Sequence, residues 1–314
     1  MAKTQDFVPT NPIFSNEIKA REHLEKLRWA DGRYCPHCGN SEGTSPVRGK
    51  KHRPGLYYCN GCKKQFTVTV GTLFERSHIP LTKWLAAFHL MAASKKGMSA
   101  HQLHRMLGVT YKTAWFMAHR IREAMRDPNP EPMGGPGSPV QADETYFGGK
   151  DAYKGRSKAD KKGLSKKRAV FALVSEGKAR TFQLAHANAS AVRKLLVTNV
   201  SREAELHTDE SRLYSRVGKE FADHKTVVHV RGQYVGPSGE STNRVENYFS
   251  VFKRGMKGVY QHCAEKHLHR YLAEFDYRYN HREITDAERA EKALEQIKGR
   301  RLTYRRTAGR RASV

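Results

Sequence analysis

The chain has 314 residues, enough for two or three domains and at least one sizeable core. It carries 57 Lys and Arg against 31 Asp and Glu, for a net charge of +26. Such an imbalance fits a polyanionic partner, nucleic acid above all. No apolar run approaches the ~18–20 residues of a membrane span, and Met1 to Phe7 lack the apolar centre of a secretory signal. The expected setting is therefore a reducing cytoplasm, with no membrane partner.

Residues 1–30 read as an arm followed by one helix, around Glu17 to Trp29. Residues 31–75 contain two tight cysteine pairs, Cys35-Pro36-His37-Cys38 and Cys59-Asn60-Gly61-Cys62, separated by 20 residues. In a reducing compartment this spacing points to zinc rather than disulfides, because each two-residue gap lets one turn supply two thiolates to the same ion. Four thiolates leave no open position, so the expected single Zn2+ is structural. The short runs Leu56–Tyr58 and Phe66–Val70 complete the texture of a zinc ribbon. The fifth cysteine, Cys263, reads as a structural thiol.

Residues 76–126 turn helical. Leu81, Trp84, Leu85 and Phe88 share a face of the first helix. Ser99 then caps a helix carrying Leu103, Met106 and Leu107, Gly108 ends it, and Tyr111–Met125 follows. This is a helix-turn-helix pattern. Its second helix is expected to expose Lys112, His119, Arg120 and Arg122 to a DNA major groove.

The run 127–139 holds five prolines and three glycines in thirteen residues and reads as a linker. From 140 to 285, strand-like runs at Pro139–Tyr146, Arg168–Ser175, Ala179–Ala185, Ala204–Asp209 and Thr226–Val230 alternate with a helix near Ala189–Val200. Helical periodicity returns over 241–254 and 264–280. That order predicts an α/β domain with a mixed sheet. Lys150–Arg168 is a basic segment, and 286–314 reads as a basic C-terminal tail, whose stretch Lys298–Arg311 is expected to order on nucleic acid.

Three acids stand out within the α/β stretch. Asp143 and Asp209 fall on predicted strands, and Glu246 opens a helix in which Val245, Tyr248, Phe249 and Phe252 form a buried face. Glu246 and Lys253 are seven residues apart and share a flank of that helix. Carboxylates gathered in a basic protein suit divalent ions working on a phosphate backbone. Glu144 and Glu210 adjoin the two aspartates, and strand parity alone does not choose between neighbours.

Several blocks together resemble the bacterial insertion-sequence transposases of the ISXO2-like kind, which join an N-terminal zinc ribbon to an RNase H-like DDE catalytic domain. They are Tyr34 to Gly39, the second cysteine knuckle, Gly71 to Phe74 leading to Trp84, Asp143 to Lys150, His207 to Glu210, Thr242 to Gly255 and Lys266 to Asn280. The resemblance implies a catalytic triad of Asp143, Asp209 and Glu246 holding two Mg2+ ions, with Lys253 positioning a phosphate. It further implies cut-and-paste transposition, with recognition of terminal inverted repeats and strand transfer into target DNA by a dimer or larger assembly. Lys112, Arg120, Arg122, Lys150 and Arg254 are the expected DNA contacts. Many relatives carry His where this chain has Ser241. The competing readings are a non-catalytic zinc-ribbon regulator of DNA and an RNase H-like nuclease that cuts without joining.

Overall fold

A computed structural model describes residues 11–49, 51–148, 168–227, 235–236 and 239–303. Lys150, nearly all of the basic segment that follows it and the tail beyond 303 lie outside the described residues. The chain divides into two compact units, 1–125 with 283–314, and 126–282.

In the first unit, α1 (Glu17–Arg28) starts where the Asn16 side chain accepts hydrogen bonds from the amides of Ile18 and Lys19. Strands β1 (Thr44–Pro46), β2 (Tyr57–Cys59) and β3 (Gln65–Phe66) form a small antiparallel sheet. Its apolar content is little more than Trp29, Tyr57 and Phe66 in mutual ring contact, too little to hold it without a staple. Helices α2 (Leu81–Ala93), α3 (Ala100–Leu107) and α4 (Tyr111–Ala124) follow. Gly108 closes α3 in the left-handed region at φ 58°, and Thr110 caps α4 two residues later.

Residues 286–303, expected to begin a tail, instead complete this unit. Helix α8 (Asp286–Glu295) opens on a capping box between Thr285 and Glu288 and buries Ala290, Ala293, Leu294 and, just beyond its end, Ile297. These four follow i, i+3, i+4, i+7 spacing, a stripe that the charge of the segment obscures. Arg289 donates to the Ala92 carbonyl, and the amides of Leu73 and Gly299 bond to the carbonyls of Ile297 and Gly71.

The second unit is a mixed five-stranded sheet in the order β6-β5-β4-β7-β8. The strands are β4 (Val140–Phe147), β5 (Arg168–Ser175), β6 (Lys178–Leu184), β7 (Glu205–Asp209) and β8 (Asp223–Val227). The β4–β5 and β5–β6 pairs are antiparallel, whereas β4–β7 and β7–β8 are parallel. Helix α5 (Ala189–Asn199) covers one face through Val192 and Leu196, which pack with Val140, Ala142 and Leu206. Helices α6 (Asn243–Gly255) and α7 (Leu268–Asn280) cover the other, packing with Phe147, Val170, Ala172 and Val174. The Pro/Gly run 127–139 is pinned rather than free: Met133 is buried and exchanges backbone hydrogen bonds with Asn199 and Ser201. No helix among the described residues is long and apolar enough to cross a membrane.

Candidate active site

Strand alternation decides which carboxylates face α6. On β4, Val140 and Ala142 point to the α5 side, so Gln141 and Asp143 point to the α6 side. On β7, Leu206 points to α5, so Glu205, His207 and Asp209 share the α6 side. The register pairs Gln141 with His207, and continuing it two residues sets Asp143 level with Asp209. Glu144 points the other way, where the buried Tyr214 hydroxyl donates to it at 2.5 Å. Glu210 lies beyond the strand and is exposed.

Helix α6 supplies the third acid. Val245, Tyr248, Phe249 and Phe252 are buried as their spacing predicts, which leaves Glu246 on the flank beside the sheet. Thr242 donates to Glu246 at 2.9 Å. Asp143 and Glu246 line an open cleft of about 800 Å³ together with Ser250, Lys253, Arg254 and Lys257. Glu246, Ser250, Lys253 and Lys257 recur at i, i+4, i+7, i+11, a single helical stripe carried past Gly255 by a π-type turn at Met256–Tyr260. The strand wall of the cleft is thus acidic, and the helix wall runs from the acid Glu246 to the cations Lys253, Arg254 and Lys257. Asp209 does not line this cleft; its Oδ1 accepts from the Ser211 amide at 3.1 Å.

Electrostatics tie the three acids together. Burial pushes the Asp143 carboxyl up to about 7; its hydrogen bond from the Glu144 amide opposes this, while Asp209, Glu144 and Glu246 add repulsion. An all-oxygen set of like charges is the donor chemistry of a hard divalent cation such as Mg2+. The set is looser than a closed cage: among the described residues, only the four cysteines bring candidate ligand atoms within 4.8 Å of one another.

The cysteines fit their expected metal well. Cys35 and Cys62 sulfurs lie 3.6 Å apart and those of Cys38 and Cys59 3.7 Å. Zinc–sulfur bonds of about 2.3 Å in a tetrahedron require sulfurs about 3.8 Å apart. The cluster is a four-thiolate site of the kind that takes structural Zn2+.

The predicted DNA contacts divide. Lys112 and Arg254 are exposed. Arg120 and Arg122 are buried, as is His119, and the expectation that they face a groove is corrected. The Arg120 guanidinium bonds to the carbonyls of Leu73 (2.9 Å) and Leu302 (3.1 Å) and lies over the Phe116 ring. The polar flank of α4 is covered by chain from both segments of the unit, at Leu73 and Leu302, which helical periodicity cannot register. Sequence reasoning also missed Gln141, Thr242 and Lys257. The last two were findable, since each lies four residues from a residue already singled out, Glu246 and Lys253. Ser241 accepts from Gln141 at 3.2 Å.

Known proteins resemble the chain over most of its length. Residues 134–280 match the ISXO2-like transposase domain, and residues 15–65 match the transposase zinc-ribbon domain, together more than half of the chain. A protein of Halobacterium salinarum, described as an uncharacterized protein in transposable element ISH50, is 29% identical over 281 residues, covering 84% of this chain and 91% of its own. Among solved structures, a chain from the cryo-EM structure of the simian T-cell lymphotropic virus intasome in complex with PP2A regulatory subunit B56 gamma overlaps 60% of this chain at 14% identity. The overlap takes in 64% of that chain, less than two thirds of it, with a TM-score of 0.28, too slight a likeness to build on. The chain belongs to the ISXO2-like transposases with an N-terminal zinc ribbon.

Proposed function

We propose that this transposase binds the terminal inverted repeats of its element and catalyses Mg2+-dependent strand cleavage followed by strand transfer. The observation that carries the reading is the meeting of Asp143, Asp209 and Glu246 on one side of the sheet, with Lys253 on the same helical stripe as Glu246. The mixed sheet with helices on both faces supports an RNase H-like domain around that triad.

Asp143, Asp209 and Glu246 would hold two Mg2+ ions, which when bound supply Lewis-acid stabilisation of the attacking and leaving oxygens. Lys253, with Arg254 and Lys257 beside it, holds phosphates of the strand across the cleft. In the first step water attacks the phosphorus at the element's end and the 3′-oxygen leaves as a hydroxyl. In the second, that 3′-oxygen attacks a target phosphodiester in line, forming one P–O bond while the target's 3′-oxygen leaves. Both steps need the same in-line placement, so one site serves both. Two element ends must be processed together, so a dimer or larger assembly on DNA is expected. End recognition falls to the zinc ribbon and to the exposed start of α4, Tyr111 and Lys112, the part of a helix-turn-helix that reaches base edges.

The test uses zinc-loaded protein, pre-cleaved repeat ends, target plasmid and Mg2+. Joined product is expected from the native chain, and Asp143→Asn, Asp209→Asn and Glu246→Gln should each lower it by roughly a thousandfold or more. Cleavage of intact ends without any joining would replace the reading with a nuclease. Unchanged activity in all three variants would leave a DNA-binding protein whose acids are incidental.

A further inference from the structure

Gln141 is buried on β4, two residues before Asp143 and on the same side of the sheet. Its Oε1 accepts from the backbone amides of Arg244 (2.9 Å) and Val245 (3.2 Å), in the first turn of α6. Thr242, the residue preceding that helix, makes no side-chain cap of its own, so an amide from the sheet does the capping. Gln141 Nε2 donates to Ser241 Oγ at 3.2 Å, and the Ser241 amide donates to His207 Nδ1 at 3.4 Å. Because Nδ1 accepts, the hydrogen of His207 sits on Nε2, where the Glu205 carboxylate takes it at 2.5 Å. Glu205 is held in turn by Lys225 at 2.9 Å. A continuous relay thus runs from β8 through β7 to the N-terminus of α6.

We infer that Gln141 is a positioning residue: its side chain ties the first turn of α6, and with it Glu246, to the strand that carries Asp143. The inference rests on the proposed role of Glu246 as the third acid. Its physical ground is the reach of one short side chain. Glu246 lies one residue after the second capped amide, so rotation or fraying of that turn moves its carboxylate away from the two aspartates. Both Oε1 and Nε2 of Gln141 have partners, which fixes the orientation of the amide as well as its place.

Two substitutions separate positioning from bulk packing. Gln141→Leu keeps the volume and removes every polar contact. Gln141→Glu keeps both acceptor contacts with α6, and the Ser241 hydroxyl can reverse its role and donate to the carboxylate. In zinc-loaded protein, Gln141→Leu should raise the Mg2+ concentration for half-maximal cleavage by about tenfold, and should speed amide exchange at Arg244 and Val245. Gln141→Glu should restore protection of those amides, and binding of repeat DNA should be unchanged in both. Should Gln141→Leu fail to fold, Ser241→Ala, which removes only the anchor of the amide, should show a smaller shift in the same direction.

Unchanged magnesium dependence and amide protection in Gln141→Leu, or in Ser241→Ala where that variant stands in, would overturn the inference. So would a Gln141→Glu variant as impaired in both readouts as Gln141→Leu. A Glu246→Gln control run alongside distinguishes the two levels of failure. If it cleaves like the native chain, the assignment of Glu246 falls, and amide exchange alone then reports whether Gln141 holds the helix.

Discussion

Helices α4 and α6 have the same sequence texture, an apolar stripe with cations on the adjoining flank, and the structure treats them oppositely. On α6 the stripe lies on the sheet, and the flank bearing Glu246, Lys253 and Arg254 opens to a cleft. On α4 the stripe and the flank are both covered, and His119, Arg120 and Arg122 are buried. The difference lies in what packs around each helix. Helix α6 is a layer on one face of a sheet, so half of it stays open. Helix α4 sits within a helical cluster closed by chain 182 residues further on, where Leu302 takes a hydrogen bond from Arg120. Periodicity identifies the face that must be buried; it says nothing of whether something distant buries the rest.

The largest expected effect concerns how α6 is fastened. Its Tyr248 donates to Asp276 of α7 at 2.6 Å, and Asp276 also accepts from the amide and hydroxyl of Thr181. Burial pushes the Asp276 carboxyl up to about 7, against the pull of Tyr248, Thr181 and Arg180. Between the ordinary carboxyl range near pH 4 and pH 7, the folded unit therefore keeps a proton that the unfolded chain has released. The share of the second unit's stability that Asp276 contributes should fall as pH rises through that window, by up to about 4 kcal/mol, and level off above it. Asp276→Asn should reduce the slope, leaving the part that Asp143 contributes. Urea unfolding followed by amide exchange in the β5 core checks this, and a slope unaltered by the substitution would break the claim.

Next comes Arg120. Replacing it with Ala leaves the buried Leu73 carbonyl and the half-buried Leu302 carbonyl without that donor, for an expected loss of about 2–4 kcal/mol. All three tryptophans, Trp29, Trp84 and Trp115, lie in the N-terminal unit, so their fluorescence during denaturation reads this unit alone. A shifted midpoint with an unaltered salt dependence of DNA binding would confirm that the guanidinium is a packing element. A lost DNA contact with unaltered stability would restore it to the interface.

Much of the molecule was legible in advance because local chemistry and fold agree. The cysteine spacing, the Gly108 terminus, the strand runs and the α6 stripe are each enforced within a few residues. The site was legible in part. Helix phase puts Glu246 and Lys253 on one flank, whereas the preference for Asp143 over Glu144 came from the family resemblance; that Val140 and Ala142 face α5, which turns Asp143 toward α6, is a tertiary fact. Gln141 was invisible for the same reason: its partners, Ser241, Arg244 and Val245, lie about a hundred residues on. The segment after 285 was misread because its charge was weighed ahead of its spacing, although Thr285, Glu288 and the stripe from Ala290 to Ile297 were all in view.

The smallest effect is the one that isolates the interface. Lys112 is exposed at the start of α4, one residue after the exposed Tyr111, whose ring stacks on His101 at 4.3 Å. It makes up no part of the buried cluster, so Lys112→Ala should change stability by less than about 0.5 kcal/mol. If the residue neutralises a phosphate of the repeat DNA, the slope of log affinity against log salt should become shallower by about one. Arg254→Ala, on the open flank of α6, should behave alike in assays of strand transfer and leave repeat binding by the N-terminal unit untouched. The crossed outcome is the informative one. Arg120 and Lys112 lie eight residues apart on one helix, and only the first should move the unfolding midpoint while only the second moves the salt slope. Were both to move both, burial would not be what separates the two residues, and the contrast between α4 and α6 would lose its physical basis.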